Sequence, residues 1–417
     1  MQWIRAGWMA AAASLLTVCF GVGVTGVSGG AAPGQKAELG EYRVLEPLRS
    51  GSLTLFPVVR SGESSGAKWD YITLDEGLRS GEVIVTEYGK LSSGMVRPRH
   101  GEVRPIERYQ GDRVNTLVLV NNSDHPLLLL AGEIVSGGKQ DRVIGKDRIV
   151  PAHSDPIDLS VFCIEHGRWV ESSDKFGAVG GKANSFMVQP SVRSKAMVKN
   201  DQQQVWASVS RSVAVAAETV TVEAAPSANT TIPGPGGVPV VTDGGASGLN
   251  TTSYAKAMSD HRVQKQVDKV AEPLSDSHTQ VLQKLRAEHA VGVVVAVNGE
   301  LIWADIFATP EMLAAYWNKL VRSYAAESYD KNAVGRVPSV GEAQQFIDRP
   351  AQGSETTEGE TGIYRYREIR GDDQSTFYLQ VLMEGHDFYA HISRAAEDRG
   401  DAKLMPVPAP ARGIPID

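Results

Sequence analysis

Residues 290–307 read AVGVVVAVNGELIWADIF, and this stretch decides the fold. Ala290 to Val297 is apolar at every position, without the alternation of a strand that has one wet face. An unbroken run of this length, rich in valine, predicts a strand covered on both sides. Asn298-Gly299 follows at once. That pair is the strongest signal for a two-residue hairpin turn, because both residues accept positive φ. Leu301 to Phe307 is then the returning strand. The two runs are expected to form an antiparallel hairpin whose first arm is a buried strand.

Moving outward, the hairpin is followed by helix signals. Thr309 caps, Pro310 takes the first helical position and Glu311 lies in the first turn. Leu313, Trp317, Leu320 and Tyr324 share one face. Ser339-Val-Gly-Glu342 is a capping box that opens a short helix through Ile347. Arg349 to Gly362 reads as a polar loop. Gly362–Ile369 and Thr376–Met383 are strands, and Phe388–Ile392 pairs back after a turn. On the N-terminal side, Tyr254 to Ala271 is helical, with Val263, Val267, Val270 and Leu274 on one face. Val205 to Val215 is a further helix, and Leu74 to Gly81 a short one. From Tyr42 to about Val170 the chain is mainly short apolar or β-branched runs punctuated by Gly, Pro, Ser and Asp. The expected fold class is α+β: a mostly antiparallel β N-terminal half packed with helices and a hairpin from the C-terminal half.

The chain has 417 residues and a net charge of −7. Arg5, a largely apolar run from Ala6 to Val24 and small residues at Val27–Ala32 follow the order of a signal peptide. Residues 1–31 are therefore expected to be an export signal, placing a bacterial protein in the periplasm or outside the cell. The alternative for the same residues is an N-terminal membrane anchor. Cleavage removes Arg5 and Cys19, so the charge moves to about −8 and Cys163 is left as a single thiol. A mildly acidic exported chain lacks the basic footprint of a nucleic-acid binder. No membrane association is expected after cleavage. An α+β domain is expected at 39–326, interrupted by a disordered insertion at about 218–253 that is rich in Ala, Thr, Gly and Pro. A helix and β-hairpin extension at 327–395 should pack on the same domain, and 396–417 reads as a Pro-rich disordered tail.

Function points to residues 132–169, where GEIVSGGKQDRVIG (132–145) is followed by VFCIEHGRW (161–169). Polar groups this dense beside apolar strands need partners, from one another or from a ligand. Glu133, Lys139, Gln140, Arg142, Glu165, His166 and Arg168 are the candidate ligand-binding residues. The Gly137-Gly138 turn could present backbone amides to an anion, with Lys139 and Arg142 adding charge; equally, its charges could pair locally. It lacks the spacing of a Walker loop. Glu133 and Glu165 could act as acid and base, or pair with Arg142 and Arg168. Cys163 is expected to be buried and inert. The histidines lack metal-ligand spacing, so neither a metal nor a cofactor is expected.

GEIVSGGKQDRVI and VFCIEHGRW, with Gln204-Val-Trp206 and Asp305-Ile-Phe307 before a Trp-containing helix, resemble the ADP-ribosylglycohydrolase- and rhodanese-phosphatase-superfamily-associated protein domain. The likeness runs from about Leu39 to Ala326. It brings no catalytic residues, but its name implies a nucleotide-derived or phosphorylated ligand by analogy. Two functions follow. The first is an exported binding or structural domain with a small anionic ligand around Gly132–Trp169. The second is a hydrolase that uses Glu133, Glu165 or His166 as acid/base and Arg142 and Arg168 as phosphate clamps. Convergence of these side chains in one concave pocket would separate them.

Overall fold

A computed structural model describes residues 41–61, 69–97, 116–165, 173–179, 186–223, 231–233, 239–241, 249, 251–275, 281–329 and 336–397. The expected signal segment and the tail from residue 398 lie outside the described residues. The fold is α+β, with mostly antiparallel sheets.

The hairpin at 290–307 sits at the middle of a nine-stranded sheet. Its first arm, β15 (Ala290–Val297), is buried at all eight positions. It pairs on one side with β3 (Leu53–Arg60) and on the other with β16 (Glu300–Phe307). Asn298 and Gly299 carry φ of 50° and 87°, the left-handed values that the turn demands. β1 (Tyr42–Val44) and β2 (Leu48–Ser50) both pair with β3. Beyond β16 come β20 (Phe388–Ala396), β19 (Gln374–Val381), β18 (Tyr364–Arg370) and β17 (Ser354–Glu360). The segment after residue 327 supplies four strands of the same sheet as β1, β2 and β3.

Residues 349–362 differ from expectation. Instead of a polar loop, seven of them form β17, which pairs with β18 along its whole length. Every side chain of β17 is exposed. A strand with no buried face carries no hydrophobic alternation, so its sequence, SETTEGE, has nothing to announce it.

Helices cover the sheet. α7 (Pro310–Ser328) buries Leu313, Trp317, Leu320 and Tyr324 as its spacing predicts, and Thr309 caps it by accepting from the Met312 amide at 3.2 Å. α8 (Val340–Asp348) has the full capping box of Ser339 and Glu342 and is tied to β1, where the Val44 amide donates to Gln344 at 2.8 Å. The expected helix over 254–271 is two: α4 (Tyr254–Ser259) and α5 (His261–Ala271). Asp260 breaks the run, because its side chain caps α5 by accepting from Arg262 while its own backbone stays extended. α6 (Val281–Ala287) leads into β15.

A second set of strands is built from the N-terminal half. β12 (Gly177–Ala178), β8 (Ile134–Ser136), β9 (Arg142–Ile144), β11 (Ile157–Cys163), β6 (Thr116–Asn121) and β5 (Val83–Glu87) form a six-stranded sheet in that order. β10 (Arg148–Val150), β7 (Leu127–Leu129) and β4 (Ile72–Thr73) form a three-stranded one. Their apolar faces meet around Leu117, Leu119, Val135 and Val161 beside α1 (Leu74–Ser80). The other side of these strands, through Leu128, Leu130 and Ile134, joins the core beneath the large sheet.

α2 (Pro190–Ser194) and α3 (Gln202–Glu223) close the remaining face. α3 runs well past the expected end at Val215, and Val220 is buried in the core. Within the proposed insertion, β13 (Thr231–Pro233) pairs with β14 (Pro239–Val241). Most other residues of 224–250 lie outside the described set.

Candidate functional site

Glu133 follows Gly132, whose φ of 95° turns the chain inward after β7. Its side chain is fully buried. One oxygen accepts from the Leu130 amide at 2.8 Å, and the other meets Lys319 Nζ at 2.7 Å. Lys319 also meets Asp75 at 2.8 Å. Burial works against the Lys319 charge, but the two carboxylates outweigh it and raise its pKa. Two buried carboxylates share one ammonium, so burial and Asp75 raise the pKa of Glu133 despite that ammonium.

The glycine turn does present its amides to anions, and the anions belong to the protein. The Lys139 amide donates to Glu87 Oε1 at 2.9 Å, and Gly137 donates to Asp141 at 3.3 Å. Gly138 has φ of 51°, and a Cβ there would fall 2.5 Å from Glu87 Oε1. Arg142, 1% exposed, stands 4.0 Å from the same oxygen and donates to the Gln140 carbonyl at 2.7 Å. Gln140 is buried, and its carboxamide has no hydrogen-bond partner among the described residues. Cys163 lies opposite Arg142 in the ladder and is buried, which raises its thiol pKa. Glu165, also buried, meets Lys256 at 3.5 Å and accepts from the Asp141 amide at 3.4 Å. His166 and Arg168 lie outside the described residues.

The structure thus gathers Glu133, Lys139, Gln140, Arg142 and Glu165 along β8, β9 and the end of β11, but in separate pairings. Glu133 pairs with Lys319 of α7, the Lys139 amide and Arg142 face Glu87 of β5, and Glu165 meets Lys256 of α4.

A further charged network was not singled out in the sequence. His391 on β20 is fully buried between two carboxylates: Nδ1 is 2.6 Å from Asp147 and Nε2 is 3.1 Å from Asp305. Burial alone would lower its pKa, but the two aspartates push it up to about 9. The imidazolium therefore donates from both nitrogens. Complete burial would raise the pKa of Asp305. Arg193, at 2.9 Å, His391 and the Tyr324 hydroxyl instead hold it well below the usual carboxylate range. Asp147 accepts from the Ala131 amide at 2.7 Å. The Arg193 guanidinium stacks over Trp303, 4.6 Å from the ring centroid. Two aspartates, one imidazolium and one guanidinium sum to zero, which makes deep burial tolerable. The available sequence signal was a single charged residue inside each of two apolar strands, Asp305 in LIWADIF and His391 in FYAHIS.

Solvent reaches a different place. A groove of about 620 Å³ opens between α2, α3, the start of β16, the C-terminal ends of α7 and α8, and the ends of β19 and β20. Trp303 forms part of its lining, with Arg193 stacked against the indole. Ser191, Arg211, Glu300, Glu327, Tyr329 and Arg349 line it. None of the residues singled out in the sequence does. Five or more elements between Gln189 and Glu397 contribute, so no local motif could mark it. Glu327 fixes one wall by accepting from the Ser191 amide at 2.9 Å.

Among the described residues, no group of three or more His, Cys, Asp or Glu side chains is placed to hold a metal ion. No helix among them is long and apolar enough to cross a membrane. No curated protein and no solved structure matches the chain. One family profile does, over residues 41–394, from the first strand of the large sheet to its last. The match extends beyond Ala326 because β17–β20 are integral to that sheet. The chain belongs to the family of the ARG and Rhodanese-Phosphatase-superfamily-associated Protein domain.

Proposed function

We propose that this is an exported, non-catalytic binding domain that holds a small ligand in the groove between α2, α3 and the ends of α7 and α8. One observation carries the reading. The charged groups of the polar cluster and of the His391 network, Glu133, Asp147, Glu165, Asp305 and His391, are buried and engaged with protein partners, and none of them lines the open groove. A catalytic acid or base must come within hydrogen-bond reach of its substrate, and side chains sealed on all sides do not. The groove's size falls in the usual ligand range of roughly 300–1,000 Å³. Export rests on the order of Arg5, the apolar run and the small residues that follow.

The test has two arms. Purified mature protein is incubated with ADP-ribose and with a chromogenic phosphate ester. No product is expected, and turnover that scales with enzyme would overturn the non-catalytic reading. Ligand binding is followed by calorimetry in wild type and Val215→Trp, which fills the groove from α3. Binding confined to the wild type supports the assignment, and binding retained by the variant removes it. For export, the mature N-terminus should be found near residue 32 in a periplasmic or culture-medium fraction. A cytoplasmic chain that starts at Met1 contradicts it.

A further inference from the structure

Arg193 faces Asp305, Lys319 faces Glu133 and Asp75, Arg322 faces Asp268, and His391 lies between Asp147 and Asp305. Each of these buried cations has a carboxylate. Arg394 on β20 breaks the pattern. It is 0% exposed, and among the described residues no carboxylate forms an ion pair with it. Its Nη1 donates to the Phe346 carbonyl at 2.8 Å, while Nε and Nη2 have no hydrogen-bond partner. Burial lowers its pKa, the neighbouring Tyr378 and the charge of Asp348 oppose that, and Arg349 adds to the lowering. Asp348 itself is exposed and accepts from Gln344 at 3.0 Å. A guanidinium stays charged at neutral pH regardless. An uncompensated buried charge is costly, and it calls for a partner of opposite sign.

Arg394 also lies behind the groove wall. The register pairs it with Ala304 of β16 on one side and with Thr376 of β19 on the other. Two residues along, Ala396 pairs with Gln374, and both line the groove. Side chains alternate along a strand, so Arg394 shares the face of Ala396 and stands about 7 Å further in, two residues at roughly 3.3 Å each. Gln374 Nε2 and Arg394 Nη1 meet at one atom, the carbonyl oxygen of Phe346, which is itself in the lining. Two more buried side-chain atoms here have no hydrogen-bond partner, Thr376 Oγ1 and Gln374 Oε1. We infer that Arg394 and Thr376 hold an oxoanion, a carboxylate or a phosphate, at the inner end of the groove. The placement at the groove rests on the binding reading above; the charge argument does not. Nε and Nη2 form the side-on edge of the guanidinium, whose parallel N–H groups match two oxygens of such an anion. The Thr376 hydroxyl supplies a third donor. Gln374 is the movable wall, since one hydrogen bond at 3.2 Å holds its amide and none holds its carbonyl. Glu300 and Asp373, also in the lining, are exposed, where water and salt screen them.

The test measures thermal unfolding of mature wild type, Arg394→Met and Arg394→Lys in sodium chloride, acetate or phosphate at equal ionic strength. Acetate and phosphate should raise the wild-type midpoint above its value in chloride, by about 2 °C or more at ten times the dissociation constant. Arg394→Met should show no such rise, and Arg394→Lys, which keeps the charge without the fork, a smaller one than wild type. In chloride, Arg394→Met should be as stable as wild type or more so, because it removes a buried unpaired charge. No oxoanion-specific rise in wild type, or an equal rise in Arg394→Met, would overturn the anion site. Calorimetry with 4-phenylbutyrate, which carries a carboxylate on an apolar body, tests the placement. Wild type should bind it, Arg394→Met about tenfold more weakly, and Val215→Trp not at all. If Val215→Trp binds it as wild type does while the acetate effect persists, the groove reading falls and the anion stays with Arg394. If Arg394→Met binds it undiminished while Val215→Trp excludes it, the groove stands and the oxoanion assignment is overturned.

Discussion

Raising the pH from about 6 to about 9.5 should weaken this fold through one side chain, His391. Its imidazolium is sealed between Asp147 and Asp305, and its pKa stands at about 9. In the unfolded chain the same group titrates near 6.5. A pKa raised by folding means that the folded state holds the proton more tightly. The stabilisation is therefore fully present below pH ~6.5 and is lost as pH climbs through the folded value. The gap between the two pKa values is roughly 2.5 units, and each unit is worth about 1.36 kcal/mol, giving on the order of 3 kcal/mol. That is a large part of the 5–15 kcal/mol typical of a domain. The assay is urea unfolding followed by tryptophan fluorescence at several pH values across the window. Wild type should lose stability with a slope approaching one proton per molecule above pH ~7. His391→Asn, if it folds, should be less stable at pH ~6 and nearly flat across the same range. A wild-type curve that stays level from pH ~6 to ~9 would refute the reasoning, whatever the variant does.

Lys319→Met should cost roughly 3–5 kcal/mol, because it leaves Glu133 and Asp75 together without their shared cation; chemical unfolding measures it, and a loss below about 1 kcal/mol would contradict the shared-ammonium geometry. Gly138→Ala should destabilise by roughly 1–3 kcal/mol, since φ is 51° and the new methyl would collide with Glu87 and Phe176; an unchanged melting temperature would show that the amide cradle around Glu87 is looser than described. Cys163 should react with a thiol reagent slowly in the native protein and fully after denaturation, because burial seals it and raises its pKa; fast native labelling would contradict the buried, inert thiol.

What the sequence revealed was local chemistry. The Asn298-Gly299 turn, the Thr309 cap and the Ser339–Glu342 box each depend on residues within a few positions of one another, and each is found where its spacing placed it. The density of polar groups at 132–169 pointed to a need for partners, and among the described residues Glu133, Arg142 and Glu165 have theirs inside the protein. Their identity was hidden because it is non-local. Glu87 reaches the Lys139 amide across 52 residues, and Lys319 reaches Glu133 across 186. His391 meets Asp305 and Asp147 over 86 and 244 residues. Periodicity fails for a different reason at β17, where no face is buried and hydrogen bonding alone defines the strand. The groove escapes both kinds of reading, since it is made by the ends of elements and no single one of them carries a mark.

The pairing of β3 with β15 has a kinetic consequence. Leu53 finds Val297 across the sheet, so the centre of the fold cannot form until well over half of the chain has been made. Closing such a long loop precedes the reward of the contacts it brings, and topologies of this kind fold slowly. At about 5–20 residues per second, β3 waits roughly ten to fifty seconds on a ribosome for its partner. During that time a strand buried at seven of its eight positions has only the short pairings with β1 and β2 and lacks its ladder with β15. The large sheet therefore forms late in synthesis or after it. A chain handed unfolded to an export machine would suffer no penalty from this delay, whereas one truncated before Val297 would be left with an apolar strand and nothing to cover it.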